Sequence, residues 1–300
     1  MDENHTEKPG AIRQKIDDFF ELIKFEHTIF ALPFAYLGML LAPTDGWPTW
    51  HQFFWITVAM ASARTMAMGA NRIIDRAIDA ENPRTAGRPL PSGRVKLSTA
   101  WVGTALSVVI LTAAAWRLGP LPLTLLPGAA FFLIGYSFTK RVTWLCHVIL
   151  GFTDGLAPMG AWAAVRGSLF TSADLPAWLL LGAVTTWIGG FDLIYAGQDV
   201  DFDRKMGLHS IPARFGVATA LRLSTLCHVV TVPLLLWLGV QTGLGWPYWV
   251  GMLGVTGLLT YEHLLVRPGD LSGINVAFFN INGYVSVTLF ASVLAALCLS

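Results

Sequence analysis

Uncharged apolar runs long enough to cross a bilayer decide what this chain can fold into. No residue from Leu118 to Thr139, from Leu223 to Tyr261 or from Leu271 to Ser300 carries a formal charge, and each run exceeds the roughly 20 residues that a spanning helix needs. With 54% apolar residues, 13% charged residues and a net charge of +1, the chain is not disordered and lacks the basic footprint of a nucleic-acid binder. Cys146, Cys227 and Cys298 lie in or beside apolar runs without CxxC spacing, which argues against a disulfide framework or a thiolate zinc site. The expected fold is all-α and integral to the membrane.

Residues 1–27 are rich in charge, unlike a cleaved secretory signal. Within them Ile16, Phe19, Phe20 and Ile23 recur at helical spacing, which predicts an amphipathic helix over 12–26 lying on the membrane surface. Nine transmembrane spans follow, at about 28–43, 52–74, 97–117, 120–139, 144–165, 175–197, 217–240, 245–265 and 275–298, the long run from Leu223 being divided by the turn-rich stretch Gln241 to Pro247. With the N-terminus in the cytoplasm, all but Arg64, Arg117 and Arg166 of the 20 basic residues fall on cytoplasmic segments, the asymmetry of the positive-inside rule. The expectation is a single polytopic domain, 1–300, N-in and C-out, in the inner (cytoplasmic) membrane, with nine helices around a central cavity.

Two acidic clusters carry the chemistry. Asn71, Asp75 and Asp79 follow at i, i+4, i+8 at the cytoplasmic end of the second span, on one face of a helix. Asp192, Asp199 and Asp203 share a face at the cytoplasmic end of the sixth, with Asp201 pointing elsewhere. Carboxylates so spaced repel one another and call for a cation. Hard oxygen donors without His or Cys suit Mg²⁺, which takes one or two carboxylates and completes its shell with water and substrate phosphates. Arg64, Arg72, Lys140 and Arg141 are the basic groups available to a bound diphosphate. Mid-span Arg64 is costly at ~2.5 kcal/mol or more unless it faces a polar cavity; Asp154, in the fifth span, either lines that cavity or pairs with an arginine.

At these residues the chain resembles the UbiA superfamily of intramembrane prenyltransferases. The NxxxDxxxD signature stands as Asn71, Asp75 and Asp79, the DxxxD signature as Asp199 and Asp203, and the YxxxK element as Tyr136 to Lys140. The strings Lys24 to Pro33, Asn82 to Arg88 and Gly207 to Gly216 resemble the bacterial branch that contains 4-hydroxybenzoate polyprenyltransferases and their menaquinone-pathway relatives. The resemblance implies Mg²⁺-dependent transfer of a polyprenyl group from its diphosphate to an aromatic ring, with Asn71, Asp75, Asp79, Asp199 and Asp203 holding the metal and Lys140 with nearby arginines on the diphosphate.

Charge building on the leaving pyrophosphate needs electrostatic stabilisation, and the allylic cation left behind is stabilised by aromatic faces, for which Tyr136 and Tyr195 are candidates. Asp192 is the candidate to take the proton lost from the ring. Both 4-hydroxybenzoate and 1,4-dihydroxy-6-naphthoate remain open as acceptors. The expected partners are polyprenyl diphosphate, the aromatic acid and the bilayer, with no nucleic acid and no obligatory protein partner. A secondary transporter is the alternative from another class; against it, the two acidic motifs lie on spans of equal direction at the boundary, where inverted repeats would place a site at the midplane.

Overall fold

The computed structural model describes residues 9–299 and the side chains of all of these except 9–12 and 25–31. Lys8, counted among the cytoplasmic charges, and the side chains of Phe25 to Ala31 lie outside the described residues. The described chain is helical: α1 Pro9–Leu22, α2 Phe25–Leu41, α3 Trp50–Ile74, α4 Arg76–Glu81, α5 Leu97–Leu118, α6 Pro120–Thr139, α7 Cys146–Arg166, α8 Leu175–Tyr195, α9 Val200–Lys205, α10 Ile211–Phe215, α11 Val217–Gln241, α12 Trp246–Leu265 and α13 Asn282–Cys298. Six helical runs among the described residues are long and apolar enough to cross a membrane: α5, α6, α7, α11, the run 172–205 that contains α8, and the run 276–298 that contains α13. The other three expected spans coincide with α2, α3 and α12. Only Leu32–Leu41 of α2 counts there, as a shorter apolar helix. Polar groups dilute the other two, Gln52, Arg64, Asn71 and Arg72 in α3, Glu262 and His263 in α12.

Local chemistry sets the helix ends. Thr49 and Gln52 form a reciprocal capping box at the start of α3, satisfying two otherwise orphaned backbone donors. Gly119 at φ 127° followed by Pro120 makes the tight link between α5 and α6, a backbone conformation that L side chains rarely adopt. Large apolar side chains such as Val102, Val109, Phe131 and Leu253 are more than 60% exposed, as expected of surfaces that meet hydrocarbon and not water.

The core joins α2, α7, α8, α11, α12 and α13. Within it α7 and α8 approach closely because Gly151 and Gly155, a GxxxG stripe, face the α8 backbone. A Cβ on Gly151 would lie 2.2 Å from the carbonyl oxygen of Thr185. Small residues permit such contact in membrane helix pairs, and here they set His147 on α7 against Asp192 on α8. Gly151→Val is expected to destabilise the protein by about 1–3 kcal/mol through overpacking. Thermal unfolding in detergent checks this, and an unchanged midpoint would contradict the close approach.

The amphipathic α1 differs from expectation in its facing. Phe19 and Leu22 pack with Leu90, Val95 and Ala100, Ile23 is also buried, and only Ile16 and Phe20 of the expected apolar stripe remain exposed. The loop between α4 and α5 offers an apolar surface that competes for the helix. Arg94 of that loop clamps α1 by hydrogen bonds to Asp18 (2.5 Å) and Glu21 (2.7 and 2.8 Å).

Candidate active site

The two acidic motifs do not lie on unbroken helices, as the spacing alone suggested. α3 ends where Asp75 adopts φ −90°, ψ 3°, and Asp79 belongs to the short α4 beyond the bend. Likewise α8 gives way to a 3₁₀ turn at Ala196–Asp199 before α9 carries Asp203. Each bend turns the second carboxylate of its pair inward, since Asp79 and Asp203 are 6% and 1% exposed. Repulsion along a straight helix is relieved, and all four motif carboxylates, with Asn71 and Asp192, line one cavity of about 270 Å³. Asp201 is exposed and does not line it. Accordingly Asp201→Ala is expected to leave the activity within about twofold of wild type, surface substitutions of this kind being nearly neutral. A loss matching that of an Asp199 variant would show that the facing is wrong.

Each motif carboxylate is paired with a cation of the chain itself. Arg141 Nη2 donates to Asp75 Oδ1 at 2.8 Å, and Arg88 Nη1 to both oxygens of Asp79 at 2.7 and 2.8 Å, with Arg72 at 3.7 Å. The Arg84 fork grips Asp199 through Nε at 2.9 Å and Nη2 at 2.6 Å, joined by Asn82 Nδ2 at 3.2 Å. Lys140 Nζ lies 3.1 Å from Asp203 Oδ2, which also accepts from Ser210 Oγ at 2.7 Å. Burial opposes the charge on Arg84 and on Lys140, yet the adjacent aspartates outweigh it and hold both above their ordinary pKa. Inside the first motif Asn71 Nδ2 donates to Asp75 Oδ2 at 2.8 Å.

Arg84 and Arg88, placed by the loop between α4 and α5, were not among the cations expected from sequence. In the sequence they stand as cytoplasmic charges within the string Asn82 to Arg88, with no spacing that ties them to the acidic motifs. Arg84 also donates to Tyr195 Oη at 3.0 Å and lies 5.2 Å over that ring, while Tyr195 stacks on Phe278 at 4.0 Å. Asp192 has a partner that the sequence did not reveal: His147 Nδ1 is 2.6 Å from Asp192 Oδ2. The backbone N–H of Ile211 donates to His147 Nε2 at 3.3 Å. The neutral ring therefore carries its proton on Nδ1 and gives it to Asp192.

Arg64 requires a correction. It does not line the carboxylate cavity but a second one of about 260 Å³, where Asp154 pairs with it at 3.6 Å. Arg64 stands ~15 Å along the α3 axis from the bend, too deep to join the cations at the carboxylates, and the Asp154 carboxylate holds it there. Asn71, Tyr136 and Asp192 line both cavities, so the two meet at those side chains.

Among the described residues no three His, Cys, Asp or Glu side chains form a cage for a metal ion. The donors present are carboxylate and amide oxygens in two separate pairs, which suits Mg²⁺ bridged by substrate phosphates and not a closed protein site.

The helical bundle with two acidic motifs around one cavity is that of a membrane-embedded site for a metal-bound anion, and the chain belongs to the UbiA prenyltransferase family, whose model matches residues 31–284. It is a multi-pass membrane enzyme, a transferase. It is 30% identical over 282 residues to a 4-hydroxybenzoate octaprenyltransferase of Paraburkholderia phytofirmans, covering 92% of this chain and 95% of that one. It is 31% identical to the protein of that name in Chromohalobacter salexigens, covering 94% of each. The apo structure of a UbiA homolog from Aeropyrum pernix K1 superposes with a TM-score of 0.83 at 34% identity, over 91% of this chain and 98% of that one. A UbiA homolog from Archaeoglobus fulgidus, solved with DMAPP and Mg²⁺, shares the fold at a TM-score of 0.62 and 17% identity, covering 91% of this chain and 99% of that one.

Proposed function

We propose that this enzyme transfers a polyprenyl group from polyprenyl diphosphate to 4-hydroxybenzoate or a closely related hydroxyaryl acid in quinone biosynthesis, with Mg²⁺. In this reading nine helices cross the inner membrane N-in and C-out as one domain, and the carboxylate cavity opens to the cytoplasm. The observation that carries the reading is the pairing of four motif carboxylates with Arg84, Arg88, Lys140 and Arg141 around one cavity. Those cations exchange carboxylate oxygens for diphosphate oxygens when substrate enters.

Asp75, Asp79, Asp199 and Asp203, with Asn71, would hold Mg²⁺, which supplies charge neutralisation to the departing pyrophosphate. Arg72, Arg84, Arg88, Lys140 and Arg141 hold the diphosphate oxygens and stabilise the negative charge that grows on them as the bond from oxygen to the prenyl C1 breaks. Tyr136, which lines both cavities, stands on the path of the allylic cation and its ring face stabilises it by up to ~2 kcal/mol when water is excluded. The Tyr195 ring, already in contact with Arg84 and stacked on Phe278, contributes by holding Arg84 at the diphosphate. The new bond joins C1 to a ring carbon, and the ring proton passes to Asp192, whose Oδ2 is occupied by His147 and whose Oδ1 is left to receive it. The Arg64 guanidinium in the adjoining cavity is matched to the acceptor carboxylate, and that cavity meets the diphosphate site at Asn71, Tyr136 and Asp192.

The test offers labelled polyprenyl diphosphate to membranes containing the protein, with 4-hydroxybenzoate and 1,4-dihydroxy-6-naphthoate in parallel. Label in the hydroxybenzoate product is expected. Label in the naphthoate product alone, or in neither, would overturn the acceptor assignment.

A further inference from the structure

Asn282 opens α13 immediately after a π-helical turn, Val276–Ile281, a feature common at functional sites. Its Nδ2 donates to Glu262 Oε1 at 3.0 Å and to the backbone carbonyls of Ala277 at 3.1 Å and Phe278 at 3.2 Å. Carbonyls only accept, so the amide orientation is fixed and the oxygen faces away from them. That Oδ1 is buried without a hydrogen-bond partner, and so is Trp187 Nε1. Asn282 and Trp187 are 6% and 5% exposed and line the same cavity as Arg64, whose Nε is also buried and unpartnered. Buried polar atoms are nearly always paired, and leaving one unpaired inside a membrane protein is unfavourable. Three such atoms on residues around one cavity call for a ligand that completes them.

Buried hydrogen bonds hold each of the two uncharged members in place. His228 Nε2–H donates to the carbonyl oxygen of Trp187 at 3.1 Å, so its Nδ1 accepts from His263 Nε2 at 2.9 Å. Separately, Glu262, fully buried, holds the Asn282 amide through Oε1. Buried hydrogen bonds of this kind order a site before its ligand arrives.

We propose that Asn282 and Trp187 form the subsite for the acceptor's ring hydroxyl, with Glu262 and His228 as positioning residues. This rests on the acceptor reading above. The hydroxyl is the one group of a hydroxyaryl carboxylate that both donates and accepts: its proton goes to Asn282 Oδ1 and its oxygen receives Trp187 Nε1–H. The acceptor carboxylate occupies Arg64.

The test is displacement of labelled 4-hydroxybenzoate from the detergent-solubilised full chain by unlabelled 4-hydroxybenzoate and by benzoate, which lacks the hydroxyl. Wild type is expected to prefer 4-hydroxybenzoate by at least about tenfold. Trp187→Phe, which keeps the ring and removes the N–H, is expected to lower that preference about fivefold, the worth of one net hydrogen bond, with benzoate affinity unchanged. Asn282→Leu is expected to do the same, and Mg²⁺-dependent binding of geranyl diphosphate at wild-type strength reports that each variant is folded. An undiminished preference in Trp187→Phe, or equal weakening of both rings, overturns the subsite. A wild type that binds both rings equally overturns it as well while leaving the acceptor class standing, whereas a wild type that binds neither overturns the acceptor reading and the subsite together.

Discussion

Asp199→Ala is expected to lower prenyl transfer on the order of a thousandfold at saturating Mg²⁺, the scale of losing a key electrostatic group from a site that stabilises developing charge. Asp199 is 7% exposed and receives two hydrogen bonds from Arg84 and one from Asn82. Its removal takes away one oxygen pair proposed to hold the metal and unfastens the loop that carries Arg84. Asp75→Ala is expected to fall by a similar factor, because it removes the matching carboxylate of the first motif together with the contacts to Asn71 and Arg141. Both variants should insert into membranes normally, since neither carboxylate helps a helix enter lipid. Turnover close to wild type in either would remove the metal assignment.

Arg84→Ala is expected to reduce kcat/KM for the diphosphate about a hundredfold, because the bound diphosphate loses a forked donor. The same change leaves Asp199 with no cation in contact when the site is empty of substrate, which raises the free enzyme in energy and offsets part of that loss. Arg84→Lys is expected to recover little of this. A lysine ammonium cannot make the two-pronged contact seen with Asp199, nor reach Tyr195 Oη at the same time. Steady-state kinetics on the three proteins decides the point, and full recovery by lysine would show that only the charge matters at this position.

Much of this site was legible in the sequence because its chemistry is local. Asn71, Asp75, Asp79, Asp199 and Asp203 follow at helical spacing, Lys140 and Arg141 close α6, and the structure brings them to one cavity with Arg72. The uncharged runs located the helices for the same reason, since a bilayer demands about 20 apolar residues at a stretch. Less visible was anything decided between elements. Arg84 and Arg88 sit in a polar loop whose path no periodicity reveals, and only the bends at Asp75 and Asp199 bring that loop over the carboxylates. His147 carries no signal of its own in the sequence; the close approach of α7 and α8 at the Gly151 and Gly155 stripe sets it on Asp192. Arg64 shares a stripe with Asn71, yet depth along the helix, and not facing, assigns it to the second cavity. The apolar stripe of α1 was sound as a pattern, but spacing cannot tell a lipid surface from the apolar underside of a neighbouring loop.

The central claim is that the two acidic motifs bind a diphosphate through Mg²⁺. It is tested most directly by the binding of geranyl diphosphate to the purified full chain, measured calorimetrically in detergent with Mg²⁺ and again with the metal chelated. Binding that requires Mg²⁺ and is lost in Asp75→Ala and Asp199→Ala is the expected result. Equal affinity with and without Mg²⁺ would contradict it, leaving the arginines and Lys140 as a purely cationic site and the carboxylates as no more than their partners.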